Sequence, residues 1–254
     1  EINAYINRSN GQTFVYTFDG TNWVSDADVS ETLIETIGGD GFRSGWVYTT
    51  NNNVVEIYNS SGQLLSVTNK SGQSKIFTYD IFTAEGGDDN DATLDKVTSF
   101  TGETMLFRYA ISEAPYPSKR ILGMTDPEGN EYIYDYDVQG NLVSVTYPDN
   151  TPLDTTNNPV RTYHYENGNF PHNLTGITDE TSTRYVTWKY DVQGRAISSE
   201  HTGGVDSGTL VYHEDGRVTT TNPLGKDTTY HFTTLHGVKK LTQVEGHETE
   251  CCAG

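Results

Sequence analysis

A short pattern, Tyr-Asp-x-x-Gly, recurs along this chain and constrains its fold more than any other feature. It occurs as Tyr136-Asp137-Val138-Gln139-Gly140 and again as Tyr190-Asp191-Val192-Gln193-Gly194. A looser copy runs from Tyr58 to Gly62, and another ends at Gly216. Tyrosine suits a β-strand, whereas Asp and Gly suit a tight turn. Recurrence of one short unit indicates a repeat architecture.

The residues around each copy complete a two-strand unit. Aromatic residues before the turn are spaced by two, as at Tyr134 and Tyr136, which places them on one face of a strand. After the turn comes a Leu-x-x-Val element such as Leu142–Val145. A second turn signal follows, as in Asp126-Pro127-Glu128-Gly129 and in the segment that ends at Gly225. The sequence therefore predicts an all-β fold of tandem hairpins in one continuous, curved antiparallel sheet.

Two polar stretches interrupt the repeats. We expect insertion loops near residues 85–93 and 149–160, because both are polar and rich in Gly or Pro. No linker divides the chain, so we predict a single domain over residues 1–254. The repeat-like sequence begins at the first residue, which favours a piece of a longer protein.

Composition excludes several classes of protein. The formal net charge of −19 repels phosphate backbones and argues against a nucleic-acid partner. No apolar run approaches the roughly 20 residues that cross a bilayer. The two cysteines, Cys251 and Cys252, are adjacent and cannot build a disulfide framework.

The search for chemistry yields weak candidates only. No nucleophile elbow, Walker loop or dinucleotide fingerprint occurs, so we predict no catalytic residues and no cofactor. Asp88, Asp89 and Asp91 form a weak Ca²⁺ candidate without the spacing of an EF-hand loop. The three tryptophans, Trp23, Trp46 and Trp188, either pack in the core or stack on a glycan or partner.

The motifs resemble the YD-repeat proteins, also called the rearrangement-hotspot (RHS) family. The family's Tyr-Asp-x-x-Gly-Arg/Asn-Leu signature is matched at 136–142 and, except for Ala196, at 190–196. The resemblance implies a β-sheet ribbon that spirals into a hollow shell, as in toxin-complex cocoons and bacterial polymorphic toxins. It also implies that Asn141 and Arg195 hold the last turn position, with Tyr136 and Tyr190 facing the neighbouring hairpin. The family's self-cleaving aspartate site has no match in this sequence.

Three functions remain open. The first is a non-catalytic segment of an RHS shell that encapsulates or displays a toxin, secreted or at a bacterial cell surface. Its partners would be the rest of its own shell, other copies through exposed sheet edges, and an enclosed toxin domain. The second is a cell-surface adhesion or carbohydrate-binding β-ribbon. The third is a hydrolase that uses paired aspartates such as Asp135 and Asp137, which are spaced by two and share a face of their strand.

Overall fold

The structure is a computed structural model that describes residues 2–80, 92–109, 120–149, 151, 157–235 and 238–246. Most of the two expected insertion loops lies outside these residues. Backbone contacts divide the chain into two compact units, Glu1–Glu131 and Tyr132–Gly254, and each unit is described by itself. The single domain expected from the sequence stays a prediction.

The first unit is a series of antiparallel strands in which each strand pairs with its neighbours in sequence. Its strands are β1 (Asn3–Asn7), β2 (Thr13–Phe18), β3 (Trp23–Val24), β4 (Thr32–Ile37), β5 (Arg43–Thr49), β6 (Val55–Asn59), β7 (Leu64–Thr68), β8 (Ser74–Asp80), β9 (Thr93–Thr98), β10 (Thr104–Tyr109) and β11 (Ile121–Thr125).

The second unit repeats the same arrangement, again with antiparallel pairing between sequence neighbours only. Its strands are β12 (Glu131–Tyr136), β13 (Leu142–Thr146), β14 (Val160–His164), β15 (Gly176–Thr178), β16 (Arg184–Tyr190), β17 (Ala196–His201), β18 (Val205–Tyr212), β19 (Val218–Thr221), β20 (Asp227–Leu235) and β21 (Val238–Glu245). A 3₁₀ turn, Thr202–Gly204, connects β17 to β18. The predicted all-β fold of tandem hairpins is confirmed.

A β-bulge lies at the same point of most aromatic–aliphatic hairpins. In the β12–β13 pair, Tyr134 lies opposite Val145, whereas Tyr136 lies opposite Leu142, so Val143 is an extra residue in its strand. The equivalent register shift precedes the last aromatic residue in six pairs, at Tyr58, Tyr79, Tyr109, Tyr136, Tyr190 and Phe232. Each bulge adds a local bend and twist to its strand.

The bulge explains the three-residue spacing of Leu-x-x-Val. In a regular strand, residues three apart point to opposite faces. The extra residue restores the phase, so that Leu142 and Val145 both face the aromatic row. The β18–β19 pair supports this reading, because its aliphatic strand reads Val218-Thr219-Thr220-Thr221 without the spacing and its register is regular.

The core is thin in both units. In the first unit, Tyr16, Leu33 and Tyr48 are almost fully buried, and the two tyrosine rings meet edge to face with centroids 6.4 Å apart. In the second unit, the buried apolar side chains are Val145 and Val186. Burial of one such side chain contributes roughly 1.5–3 kcal/mol, so many hairpins must contribute together. Within the described residues, no helix has the length and apolarity needed to span a membrane.

Candidate functional site: the repeat turns and their tyrosines

One five-residue turn connects most of the hairpins. In it, the fourth residue donates its N–H to the carbonyl of the first, and the first donates its N–H to the carbonyl of the fifth. The turns predicted as two kinds, Asp-x-x-Gly at Asp137 and Asp-Pro-x-Gly at Asp126, share this hydrogen-bond pattern. The described residues contain it at turns that begin with Arg8, Gly38, Thr50, Asn59, Asn69, Ser99, Asp126, Asp137, Asp179, Asp191, His213 and Asn222.

The fourth residue of the turn has a left-handed backbone. It is glycine in most copies, with φ of 90° at Gly140 and 78° at Gly194. The predicted glycines Gly62, Gly129, Gly216 and Gly225 hold the same position, also with positive φ. Two turns place another residue there, and Asn53 and Ser182 still adopt φ of 58° and 63°. Side chains with a Cβ pay a steric cost in this region, so the turn imposes its conformation whatever the residue.

The first residue of the turn supplies a side-chain acceptor. Asp191 Oδ1 accepts the N–H groups of Gln193 and Arg195, each at 2.9 Å, and its Oδ2 accepts Arg195 Nε at 2.7 Å. Asp137 likewise binds the backbone and side-chain nitrogens of Asn141, both at 2.8 Å. These bonds satisfy amide groups that the hairpin ladder leaves unpaired.

The Asp-Pro turn uses the same chemistry. The side-chain amide of Asn130 donates to Asp126 Oδ2 at 2.9 Å, and the N–H groups of Glu128 and Asn130 donate to Oδ1. Together these donors hold the pKa of Asp126 below its ordinary value. Pro127 occupies the second position, where its fixed φ suits the turn.

Turns without such a first residue use the third position instead. In the turn that begins at His213, the ring of this first residue is hydrogen-bonded to Thr219. Asp215, at the third position, accepts the Arg217 N–H through Oδ1 at 3.1 Å. Asn10 and Asp40 act in the same way for the turns that begin at Arg8 and Gly38. The N–H of the fifth residue is thus capped in these copies too.

Two of the aromatic-strand tyrosines, Tyr190 and Tyr212, are hydrogen-bonded to the preceding aliphatic segment. The hydroxyl of Tyr190 donates to the Leu174 carbonyl at 2.6 Å, and that of Tyr212 donates to the Ala196 carbonyl at 2.9 Å. Both bonds reach back 16 residues, to the start of the preceding aliphatic segment. Burial raises the pKa of Tyr190, which keeps this hydroxyl protonated as a donor.

In the second unit, one loop is hydrogen-bonded to both Tyr-Asp-x-x-Gly turns, the one at Asp137 and the one at Asp191. The loop, residues 165–175, reaches the first turn through Asn141, whose Nδ2 donates to the Pro171 carbonyl at 3.0 Å and whose Oδ1 lies 2.7 Å from His172 Nδ1. It reaches the second turn through Asn173 Nδ2, which donates to the Gly194 carbonyl at 3.2 Å. Asn141 is buried as a result, which fits its position as the last residue of the turn.

An ion pair anchors the same loop. Arg184 binds Glu166 through two parallel bonds of 2.9 Å, and Thr175 Oγ1 donates to Glu166 at 3.0 Å. Hydrogen bonding by Arg184 lowers the pKa of Glu166 from 4.5 to about 2. A Cβ at position 176 would collide with the Arg184 guanidinium, so Gly176 leaves the space that the pair occupies.

A second network, in the first unit, was not predicted from the sequence. Glu56 is buried, although it takes the position two before Tyr58 at which other repeats carry an aromatic residue. Arg8 binds it through two bonds of 2.7 and 2.9 Å, and the Tyr58 hydroxyl donates to it at 2.6 Å. The Arg8 guanidinium also lies 5.1 Å from the Tyr48 ring centre. Arg8 and Glu56 are 48 residues apart, so no local pattern connects them.

The metal, cysteine and tryptophan candidates from the sequence do not form a common site among the described residues. Asp88, Asp89 and Asp91 lie outside the described residues, as do Cys251 and Cys252. Within the described part of the chain, no group of three or more His, Cys, Asp or Glu side chains is arranged to hold a metal ion. Trp23 and Trp46 contact each other in the first unit, whereas Trp188 lies on β16 of the second.

A chain of tandem β-hairpins with one repeated turn, one repeated bulge and a repeated tyrosine bond is a repeat protein. Residues 117–152, which include the Asp126 turn and the Tyr136 motif, match the family model described as RHS repeat. The chain therefore contains an RHS repeat, and the recognition based on the Tyr-Asp motifs is confirmed. No curated protein sequence matches the chain.

Solved structures of toxin complexes are similar to the chain at low identity. The crystal structure of TcdB2-TccC3-TEV is 15% identical, with a TM-score of 0.37, over 88% of this chain and 14% of that chain. The Tc holotoxin pore of Photorhabdus luminescens, in a TccC3 mutant, is 14% identical, with a TM-score of 0.37, over 94% and 16%. The present chain thus spans about one seventh of the length of these proteins.

The left-handed fourth residue generates a prediction about stability. Ser182→Gly should raise the free energy of unfolding by about 1 kcal/mol, because glycine carries no Cβ penalty at φ of 63°. Gly129→Ala should lower it by a similar amount, since a Cβ at Gly129 meets no atom within 4 Å and only the backbone cost remains. Urea unfolding of both variants checks this, and an equal sign of the two changes would contradict it.

The Glu166–Arg184 pair predicts a component of acid sensitivity. The pKa of Glu166 is lowered on folding, so its contribution to stability is complete above pH 4.5 and is lost as the pH falls towards about 2. Glu166→Gln should reduce the loss of stability across this range. Arg184→Gln should do the same, because it removes the main cause of the shift. Melting temperatures measured across the range provide the test, and slopes that match the parent protein in both variants would refute it.

Proposed function

We propose that this chain is a wall segment of an RHS shell that encloses or displays a toxin or effector, and that its role is structural rather than catalytic. The observation that carries the proposal is the recurrence of one turn and one bulge in hairpin after hairpin. Identical turns fix the register, and bulges at equivalent positions add the same local bend each time. Such a unit serves to extend a wall.

The use of the motif residues supports this role. In the best copies, the polar side chains of the motif bind the backbone or each other: Asp191 holds Arg195, and Asp137 holds Asn141. The tyrosine hydroxyl likewise binds a carbonyl of the same sheet. Asp135, the partner of Asp137 in the hydrolase hypothesis, accepts a bond from Ser144 at 2.8 Å. These carboxylates are engaged in structure, which favours the wall over the hydrolase.

The last hairpin supports the proposed partner, namely another part of the shell or another copy of the chain. Leu241 and Val244 occupy the Leu-x-x-Val positions of β21 but are 52% and 51% exposed, whereas the equivalent Val145 is 6% exposed. Among the described residues, β21 pairs only with β20. An aromatic strand laid against β21 would bury these residues as the inner repeats do.

The acidic surface and the resemblance together support a secreted or cell-surface location in a bacterium. A net charge of −19 keeps a sheet-rich surface soluble. It also disfavours nucleic acid as the enclosed or bound partner.

The shell proposal is tested on the natural gene product that contains this chain. Electron microscopy should show a closed wall, and the segment encoded beside the repeats should resist protease until the wall is opened by denaturant. A segment that is cut at once in the intact protein, or an intact protein without an enclosed volume, would overturn the proposal.

The exposed face of β21 predicts self-association of the isolated chain. Light scattering should show a mass that rises with concentration, because Leu241 and Val244 are exposed and, within the described part of the chain, one edge of β21 has no partner strand. The double change Leu241→Lys and Val244→Lys should suppress the rise. The matched control is Val138→Lys with Val192→Lys, at turn positions 96% and 86% exposed, which should leave it unchanged. A monomer at every concentration would count against the proposed edge.

A further inference from the structure

Two adjoining clefts lie on the first unit, where the short strand β3 leaves a gap between longer strands. One has a volume of about 420 Å³ and lies between β1, Trp46 and Tyr58. The other, of about 540 Å³, lies beside Phe18 and Ile37. Trp23 and Leu33 line both, so the clefts meet at the Trp23 ring. Each volume falls within the roughly 300–1,000 Å³ of small-ligand sites.

Aromatic rings form the centre of the double cleft. The rings of Trp23 and Trp46 meet edge to face with centroids 5.0 Å apart, and Phe18 lies 5.4 Å from Trp23 on its other flank. Both tryptophans are half-buried rather than enclosed. Ile34 and Ile37, on the rim of the second cleft, are 57% and 59% exposed. These apolar side chains around the two clefts are thus more exposed than those of the core of this unit, Tyr16, Leu33 and Tyr48.

A charged pair lies against these rings. Glu35 accepts the indole N–H of Trp23 at 3.1 Å and the Nε of Arg43 at 2.6 Å, one on each carboxylate oxygen. Arg43 in turn lies 4.4 Å from the centre of the Trp46 ring. Each carboxylate oxygen can accept a further hydrogen bond, and the guanidinium has further donors. The pair is neutral as a whole and offers donors and acceptors side by side.

We propose that this double cleft binds a neutral oligosaccharide. Sugar rings present an apolar C–H face that packs on tryptophan, and hydroxyls at their edge that bridge a carboxylate and a guanidinium. A polyanion is disfavoured by Glu35 and by the net charge of −19, and a cation is disfavoured by Arg43. A purely apolar ligand would leave both charged groups desolvated and unpaired. Two clefts joined at Trp23 fit more than one sugar ring.

The residues proposed to contact the sugar, Trp23, Glu35, Arg43 and Trp46, lie outside the repeated turns, although Ser60, Ser61 and Gly62 of the turn that begins at Asn59 also line the first cleft. In the Tyr-Asp hairpins of the second unit, the residues directly opposite Tyr134 and Trp188 are the uncharged Val145 and Ser199, whereas Glu35 lies directly opposite Trp46. The binding site would therefore give this segment a surface role that is additional to extending the sheet.

The test uses tryptophan fluorescence and calorimetry with cellotetraose, chitotetraose and mannotetraose as probes. The chain contains three tryptophans, two of them in the cleft. At least one probe should give a saturable fluorescence change, with a dissociation constant in the millimolar range or tighter. Glu35→Gln and Trp46→Phe should each weaken that binding by about tenfold; the first keeps the side-chain volume, and the second keeps an aromatic ring at the site. Trp188→Phe, on the second unit, is the matched control and should leave the affinity unchanged.

Three outcomes would overturn the proposal. The first is the absence of saturable binding by all three probes. The second is binding that Glu35→Gln and Trp46→Phe leave at full strength. The third is a loss of affinity in Trp188→Phe equal to that in Trp46→Phe, which would place the ligand elsewhere. Circular dichroism of each variant shows that its fold is intact, and Glu35→Gln, which alters no packing volume, remains informative if Trp46→Phe is destabilised.

Discussion

The hydrogen bond that caps the N–H of the fifth turn residue is the constraint on which the rest of the structure depends. A strand has a side-chain period of two, so a slip of one residue would move every aromatic side chain to the opposite face. The thin core offers little to correct such a slip. Register must therefore be set locally, and in most of these turns an Asp or Asn side chain at the first or third position sets it, while Thr50 Oγ1 caps the Val54 N–H in the same way. In the turn that begins at His213, Asp215 at the third position supplies the acceptor that the first position lacks, which shows that the bond matters more than the position of its acceptor.

The bulge brings the aromatic residues of one strand and the aliphatic residues of the next to the same face of the sheet. With the turn fixed, Tyr136 must lie opposite Leu142, and the extra residue Val143 then brings Val145 opposite Tyr134. In this hairpin an aromatic pair and an aliphatic pair thus meet, although their spacings in the sequence differ. The tyrosine hydroxyl adds a bond to the preceding hairpin, as Tyr190 does to the Leu174 carbonyl. Turn, bulge and hydroxyl together link each hairpin to both of its neighbours.

The hairpins and their turns could be predicted because their signals are local. Tyr136, Asp137 and Gly140 lie within five residues, and each has a strong conformational preference. The Leu-x-x-Val spacing is also a local signal of the bulge, because two residues three apart cannot share one face of a regular strand. The left-handed backbone of Ser182 could not be predicted, because serine gives no sign of it and the surrounding turn imposes it. The clamp by residues 165–175 depends on contacts between distant segments, which a repeat pattern does not encode.

The Arg8–Glu56 network shows how a departure from the repeat creates something new. A carboxylate that replaces an aromatic residue must be paired when it is buried, and Arg8 with Tyr58 supplies the partners. Such a pair adds little net stability compared with apolar packing, but it is strongly selective for one arrangement. Here that arrangement holds the β1–β2 turn against β6. The cleft lined by β1, Trp46 and Tyr58 lies beside this contact, so the residue that breaks the repeat also helps to shape the one surface of the first unit that we propose binds a ligand.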